Sequence, residues 1–347
     1  MKIMKILKLF PGILLAVAIA ALSQWIEHLI PIHVVGGAVI AMFIGMVVNH
    51  FLGERAILSS GLKFTSKKLL KFAIILLGLS LNITTILEVG KMSLIVMLFT
   101  LATCFGGGYF IGRALKLNWK LSNLISAGTG ICGGSAIAAI APTIDADDRD
   151  IAYAMSATFL FDMAMIVLFP ILGRAMGMSD EAFGIWAGTA VNDTSSVVAT
   201  GYAFSEGAGD FATMVKLTRT LSIIPTVIVF ALIQLRLKRK ECLAAGDGRE
   251  VKANISIVKI FPWFILGFLA MAIIASIFTI PPTVVSGTKT ASKFLMVCAL
   301  AAIGLNTSFS SMKKAGVRPM IHGFIISALV VVVALVVEIG MGLVIFA

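Results

Sequence analysis

The segment Ala127-Gly-Thr-Gly-Ile-Cys-Gly-Gly-Ser-Ala-Ile-Ala-Ala139 returns sixty residues later, without a gap, as Ala187-Gly-Thr-Ala-Val-Asn-Asp-Thr-Ser-Ser-Val-Val-Ala199. The chain around both copies is almost wholly apolar, so each copy reads as a helix breaker inside a membrane-embedded stretch. Backbone can leave the helix at membrane depth only where protein or a watery cavity satisfies its freed N–H and C=O groups. Paired breaks therefore predict a two-part site that binds a solute.

Composition gives the class independently. With 59% apolar and 13% charged residues and a mean hydropathy of +1.04, the chain is an all-α polytopic membrane protein rather than a water-soluble globule. The 28 Lys and Arg against 17 Asp and Glu do not point to nucleic acid, because the positive charges lie in short loops between apolar runs, where they act as topology signals. Cys104, Cys132, Cys242 and Cys298 have neither metal-ligand spacing nor an obvious pairing, so no metal, cofactor or disulfide framework is expected. The run from Phe10 to Ile30 follows Lys2, Lys5 and Lys8 as a signal peptide would, but lacks a clear small-x-small cleavage site, and reads as a retained first helix.

Apolar runs of the ~17–25 residues needed to span fall near 10–30, 33–52, 69–88, 92–112, 150–173, 211–235, 260–280, 292–309 and 319–346, which predicts nine crossings. Two further stretches, 122–142 and 182–201, hold the repeated segments. A cytoplasmic N-terminus puts every strongly basic loop inside: Arg55 to Lys71, Arg113 to Lys120, Arg236 to Lys259 and Lys313 to Arg318. The stretch 236–259 reads as a cytoplasmic linker too short for a domain, and residues 1–347 as one transmembrane domain.

A weaker internal match pairs Gly78-Leu-Ser-Leu-Asn82-Ile-Thr84 with Ala302-Ile-Gly-Leu-Asn306-Thr-Ser308. Asn82 and Asn306 correspond, on helices that run in opposite directions, as inverted repeats about an in-plane axis require. The stronger repeat keeps that axis if 122–142 and 182–201 are re-entrant hairpins entering from opposite sides. It breaks the axis if both are broken helices that cross fully. The hairpin reading is preferred, since about ten residues before Gly130 to Gly134 rise roughly 15 Å as helix, half of the ~30 Å hydrocarbon core.

In the first tip, Thr129, Gly130, Ile131, Cys132, Gly133, Gly134 and Ser135 include three glycines, which lets backbone N–H groups turn toward an anion at the start of the next half-helix. The second tip, Asn192, Asp193, Thr194, Ser195 and Ser196, offers one carboxylate, one amide and three hydroxyls that can cap a half-helix or coordinate a proton, cation or substrate group. The alternative for the glycines is tight helix packing. Ionisable residues inside apolar spans cost about 2.5–3.5 kcal/mol on insertion scales, so Asp162, Lys216 and Arg219 become candidates: the basic pair for offsetting an anion or pairing with the aspartates, Asp193 or Asp162 for coupling a proton or cation. Asn82 and Asn306 join the candidate binding set. Glu338 reads as interfacial, His322 as structural, and Asp150 and Asp210, equivalent in the repeat, as helix N-caps.

Gly128-Thr-Gly-Ile-Cys-Gly-Gly-Ser-Ala-Ile137, Ala190-Val-Asn-Asp-Thr-Ser-Ser-Val-Val-Ala199 and Lys216-Leu-Thr-Arg-Thr220 together resemble the YeiH family of bacterial inner-membrane proteins, described as sulfate exporters. The resemblance covers nearly the whole chain and implies a multi-pass bacterial inner-membrane protein. The family in turn is distantly similar to inverted-repeat transporters with two broken elements at the substrate site, which implies the architecture more than the ligand.

Three functional readings follow. The first, preferred, is a secondary transporter of a small, sulfate-like anion held between the tips with alternating access, open to proton or sodium coupling and to assembly as a homodimer. The second is a cation or proton antiporter using Asp193 and Asp162. The third, of another class, is an intramembrane aspartyl hydrolase suggested by Gly207-Ala-Gly-Asp210; no Tyr-Asp partner accompanies it, since Asp162 follows Phe161, so no enzyme is expected. No Walker motif marks ATP as a direct energy source.

Overall fold

A computed structural model describes residues 9–29, 36–53, 55–244, 260–307 and 316–344. Lys2, Lys5, Lys8, Ile30, His33, Lys259, Ser308 and Lys313 lie outside the described residues. All regular structure among the described residues is helical. In chain order it comprises α1 Phe10–Leu29, α2 Gly37–Leu52, α3 over 56–80, α4 over 83–114, a first broken pair α5 Trp119–Ala127 and α6 Gly134–Ile140, and α7 Asp148–Ala175. A second broken pair follows, α8 Asp180–Ala190 and α9 Thr194–Phe204, then α10 over 206–244, α11 Trp263–Ile277, α12 Pro282–Leu305 and α13 Val317–Gly340. By length and composition six of these can cross a membrane: α1, α4, α7, α10, α12 and α13. The runs α2 and α11 are shorter apolar helices, and α3 packs along α12 and α11.

Both repeated segments are hairpins. At the mouth of the first, Asn118 Nδ2 donates to the Asp150 carboxylate at 3.1 and 3.2 Å, and Lys120 Nζ to the carbonyl of Asp145 at 2.6 Å, so the two ends of the segment lie together. Asp145 is also paired with Lys238 at 2.7 Å, on the extension of α10; the hydrogen bond from Lys238 holds its carboxyl below the usual carboxylate range. At the mouth of the second, the rings of Phe183 and Phe204 stack at 4.0 Å, and Arg174 Nη2 donates to the carbonyls of Ala203 (2.8 Å) and Phe204 (3.2 Å). Between the mouths runs α7, 28 residues long, or about 42 Å at 1.5 Å per residue. The hairpins therefore enter from opposite ends of the molecule.

The helices form two groups. In one, α1, α2, α3, α11 and α12 pack together. Its tightest seam is α2 against α12, where a Cβ added to Gly45 would meet the Ala301 carbonyl and one on Gly304 the Met42 carbonyl; only small residues allow that approach. In the other, α4, α7, α10 and α13 enclose the hairpins. The groups touch where Met163 and Ile166 of α7 and Ala199 and Ala203 of α9 join the apolar cluster of α1, α2 and α12, and where Leu77 of α3, Phe268 of α11 and Met296 of α12 join the main core of the hairpin group.

Several expectations need correction. The third helix occupies 56–80 rather than 69–88, because Lys63, Lys67, Lys68 and Lys71 lower the local hydropathy and shift the apolar window late. Asn82 caps α4, its side chain accepting from Thr84 N. The stretch 236–259 is not linker throughout, since helix continues to Ala244; 245–259 lie outside the described residues. The eighth span begins at Pro282 rather than 292, its first half being masked by Lys289 and Lys293. Glu338 is fully buried instead of interfacial, with neither carboxylate oxygen partnered. Asp147 and Ser205, not Asp150 and Asp210, occupy the N-cap positions.

The hairpin geometry makes opposite predictions for the two mouths. Single cysteines introduced at Asp147 and at Asp180 should react with an impermeant maleimide from opposite faces of sealed vesicles, and labelling from the same face would refute the two-sided arrangement.

Candidate functional site

The two hairpin tips meet. In the first, α5 continues as a wide π-turn over Gly128–Cys132, closed by Gly133 N–H donating to the Gly128 carbonyl at 2.8 Å. The chain then turns at Gly133, with φ +60° and ψ −132°, a conformation that favours glycine. The break thus falls after Cys132, within the Gly130–Gly134 stretch expected from the glycine spacing. In the second tip α8 ends at Ala190, and α9 starts after Asp193, whose side chain caps Ser195 N. A Cβ built on Gly133 would stand 3.0 Å from the Asp193 Cβ and Oδ1, so glycine is what allows the two turns to touch.

Breaking two helices frees carbonyls on the incoming halves and amides on the outgoing ones. Lys216 and Arg219 take the carbonyls. Lys216 Nζ donates to Ile131 O at 2.8 Å, to Val191 O at 3.1 Å and to Asn192 O. Arg219 donates through Nε to Gly130 O (2.7 Å), Nη1 to Val191 O (3.1 Å) and Nη2 to Thr129 O (2.5 Å). Asp162 takes the amides, its two oxygens accepting from Asn192 N at 2.8 Å and Asp193 N at 2.9 Å. Each charge thereby faces the half-helix end of opposite partial charge. Lys216, Arg219 and Asp162 are at most 1% exposed.

This corrects the reading of the basic pair. Lys216 and Arg219 do not point into an open cavity as anion ligands, and no ion pair joins them to Asp162 or Asp193 among the described residues. They clamp backbone. Their three-residue spacing puts both on one face of α10, against both tips at once. Thr129, Gly130, Ile131 and Cys132 are buried and present carbonyls or apolar surface to the protein interior. Asn192 is buried too, its Nδ2 within 3.4 Å of Ser327 Oγ on α13 and 3.5 Å of the Thr158 carbonyl, its Oδ1 unpartnered. Ser195 is hydrogen-bonded to the Asp193 carboxylate, and Ser196 is buried beside it.

What remains accessible is small. Ser135 is exposed, and Gly134, Asp193 and Thr194 are partly exposed. They form a patch at the contact of the tips, with Asp193 its one ionisable side chain. Asn82 and Asn306 are not part of it: Asn82 lies where Ile83 N meets Ser276 Oγ, and Asn306 in a cleft at the other end of the same helix group. Val191, whose carbonyl both basic residues share, was missed by sequence reasoning, as were Ser327 and Thr158. A carbonyl has no side-chain signature, and contacts from α13 follow only from packing.

The profile of the family described as "Conserved hypothetical protein 698" matches residues 11–323. A Clostridium tetani protein named "UPF0324 membrane protein" is 56% identical over 334 residues, covering 95% of this chain and 97% of the relative. Similar proteins of Streptococcus pyogenes serotype M18, named "UPF0324 membrane protein spyM18_1033", and of Streptococcus mutans, named "UPF0324 membrane protein", are 40% and 39% identical, covering 97% and 90% of this chain and 98% and 91% of the relatives. The chain belongs to the UPF0324 family. The YeiH family is UPF0324, so the resemblance carried by the two tips and the Lys216–Thr220 segment is borne out. In this UPF0324 membrane protein the tip motifs and the Lys-x-x-Arg motif are parts of one device, the second supplying the hydrogen bonds that the first lacks.

The clamp predicts a division between stability and surface. Lys216→Met strands carbonyls at roughly 1–3 kcal/mol for each one left unsatisfied, and Gly133→Ala adds backbone strain of order 1–3 kcal/mol. Thr194→Val, at the patch, should stay within about 0.5 kcal/mol of the natural protein. Thermal unfolding of the purified protein in detergent measures all three, and a Lys216→Met variant as stable as the natural protein would remove the clamp.

Proposed function

We propose that this protein is a secondary transporter of a small anion, bound at the patch of Gly134, Ser135, Asp193 and Thr194 and moved together with a proton. The observation that carries the reading is the charge balance where the hairpins meet. Two cations, Lys216 and Arg219, stand against two carboxylates, Asp162 and Asp193, and of these four only Asp193 is accessible. When Asp193 takes up a proton the crossing holds one positive charge in excess, which an anion neutralises. Substrate and proton then enter and leave as a pair, because carrying either charge alone in low dielectric is expensive. A monovalent anion matches that single charge, and sulfate, with two, would need a second proton.

Alternating access has a structural basis in the two helix groups. At the mouth of the second hairpin Lys289 of α12 pairs with Asp210 of α10 at 2.7 Å, and Tyr202 of α9 donates to the other Asp210 oxygen at 2.6 Å. Lys293 pairs with Glu206 beside them. This clasp, with Ala199 and Ala203 against the first group, supports a state closed at that end, whereas Ser135 and Ala138 of α6 are exposed. It also argues against hydrolysis, since Asp210 is held by Lys289 and Tyr202 rather than facing Asp162.

A cation or proton antiporter is the second reading, favoured by Asp193 being the one accessible charge. The two part on one variant. For anion–proton symport, Asp193→Asn in proteoliposomes keeps anion-dependent thermal stabilisation but removes its pH dependence and stops proton-driven uptake. Cation exchange predicts no anion-dependent stabilisation in either protein. Full proton-coupled uptake by Asp193→Asn would overturn the coupling role.

The clasp is tested separately. Replacing Lys289 and Lys293 by Gln should raise the reactivity of a Thr194→Cys reporter from the second hairpin's face of the membrane about fivefold or more, the weight of one ~1 kcal/mol ion pair. Unchanged reactivity would mean that the clasp does not hold that end closed.

A further inference from the structure

A second charged site lies away from the hairpins. Between the end of α2, the start of α3 and the end of α12 there is a cleft of about 490 Å³, lined on its polar side by Asn49, Arg55, Lys63, Lys67 and Asn306. That volume falls in the ~300–1,000 Å³ range of small-molecule sites. No acidic residue lines it among the described residues. Some other basic groups at this end have partners: Lys238 with Asp145, Lys120 with the Asp145 carbonyl, Arg149 with Tyr153. Lys63 and Lys67 have no ion pair among the described residues, and Arg55 has only a 3.4 Å contact from Nε to the Leu52 carbonyl. Three cations crowded around one cleft repel one another unless an anion joins them.

The remaining walls describe the anion. Leu52, Leu58, Leu62 and Leu305 line the same cleft, and Phe51 and Ile57, next to it in sequence, are 82% and 68% exposed. A free inorganic ion has no use for leucine walls that run out to an exposed apolar rim. A phosphate on a diacylglycerol matches both halves, its oxygens on the cations and its chains along the leucines. Basic pockets between membrane helices are suited to such headgroups, each Lys or Arg near the surface contributing about 1 kcal/mol.

We infer that the cleft of Arg55, Lys63 and Lys67 binds the phosphate headgroup of an anionic phospholipid. Bound there, the lipid ties together the ends of α2, α3 and α12 and fixes the helix group against which the hairpin group rests. The site is independent of what the hairpins carry.

The test is thermal unfolding of the purified full-length protein in detergent, at fixed ionic strength, titrated with phosphatidylglycerol, phosphatidylcholine or inorganic phosphate. Saturable stabilisation by phosphatidylglycerol alone is expected. Lys63→Gln and Lys67→Gln should each shift its midpoint about fivefold to higher lipid, the fold-change equivalent to ~1 kcal/mol. The double variant Lys116→Gln with Arg318→Gln, at a different cleft of the same end, should leave the midpoint unchanged. Equal stabilisation by phosphatidylcholine, an equal loss in the control variant, or an unchanged midpoint in both single variants would overturn the site. Saturation by inorganic phosphate alone would overturn the lipid and leave a soluble anion as its ligand.

Discussion

Five carbonyls, of Thr129, Gly130, Ile131, Val191 and Asn192, and two amides, of Asn192 and Asp193, are released from helical pairing where the hairpins turn, and all are answered by three side chains. At the centre of a bilayer no water is available to do this, and each group left open costs several kcal/mol. The positions of α7 and α10 follow from that requirement. One must bring a carboxylate to the start of α9, and the other two cations to the ends of the incoming half-helices.

The same requirement explains why charge is concentrated at one depth. A buried Lys, Arg and Asp would each be destabilising alone in an apolar span. Opposed to half-helix ends of complementary sign they become the cement of the hairpin contact, and their hydrogen-bonding capacity is taken up by backbone. The accessible part of this crossing is reduced to Gly134, Ser135, Thr194 and the Asp193 carboxylate.

Around this rigid crossing the two helix groups differ in how they hold together. The group of α1, α2, α3, α11 and α12 is joined by close small-residue seams such as Gly45 against α12. Its contacts with the hairpin group are Met163, Ile166, Ala199 and Ala203, the Lys289 and Lys293 clasp, and a larger apolar cluster shared by both groups that includes Leu77 of α3, Phe268 of α11 and Met296 of α12. At the far end of the first group lies the exposed cleft of Arg55, Lys63 and Lys67.

Much of this was legible in the chain itself. Hydropathy determines an all-helical membrane protein, because apolar runs of about 20 residues span as helices, whereas barrel strands would show alternation over about 10. The duplicated tips mark where helices fail, and the parity of the weaker repeat favours hairpins, since both follow from local composition and chain direction. Asp162, Lys216 and Arg219 stand out because charge in an apolar span is rare. Their partners were not legible: the carbonyls of Val191 and Ile131 carry no side-chain signal, and nothing local says that α10 reaches both tips. Asn82 and Asn306 match in sequence, yet sit at opposite ends of antiparallel neighbours, because likeness of a motif does not specify its depth. Asp150 and Asp210 resemble N-caps and instead hold Asn118 and Lys289 from distant helices. Sequence determines which groups must be satisfied; only tertiary packing decides by whom, because hydrogen bonds between helices depend on which faces the fold brings together.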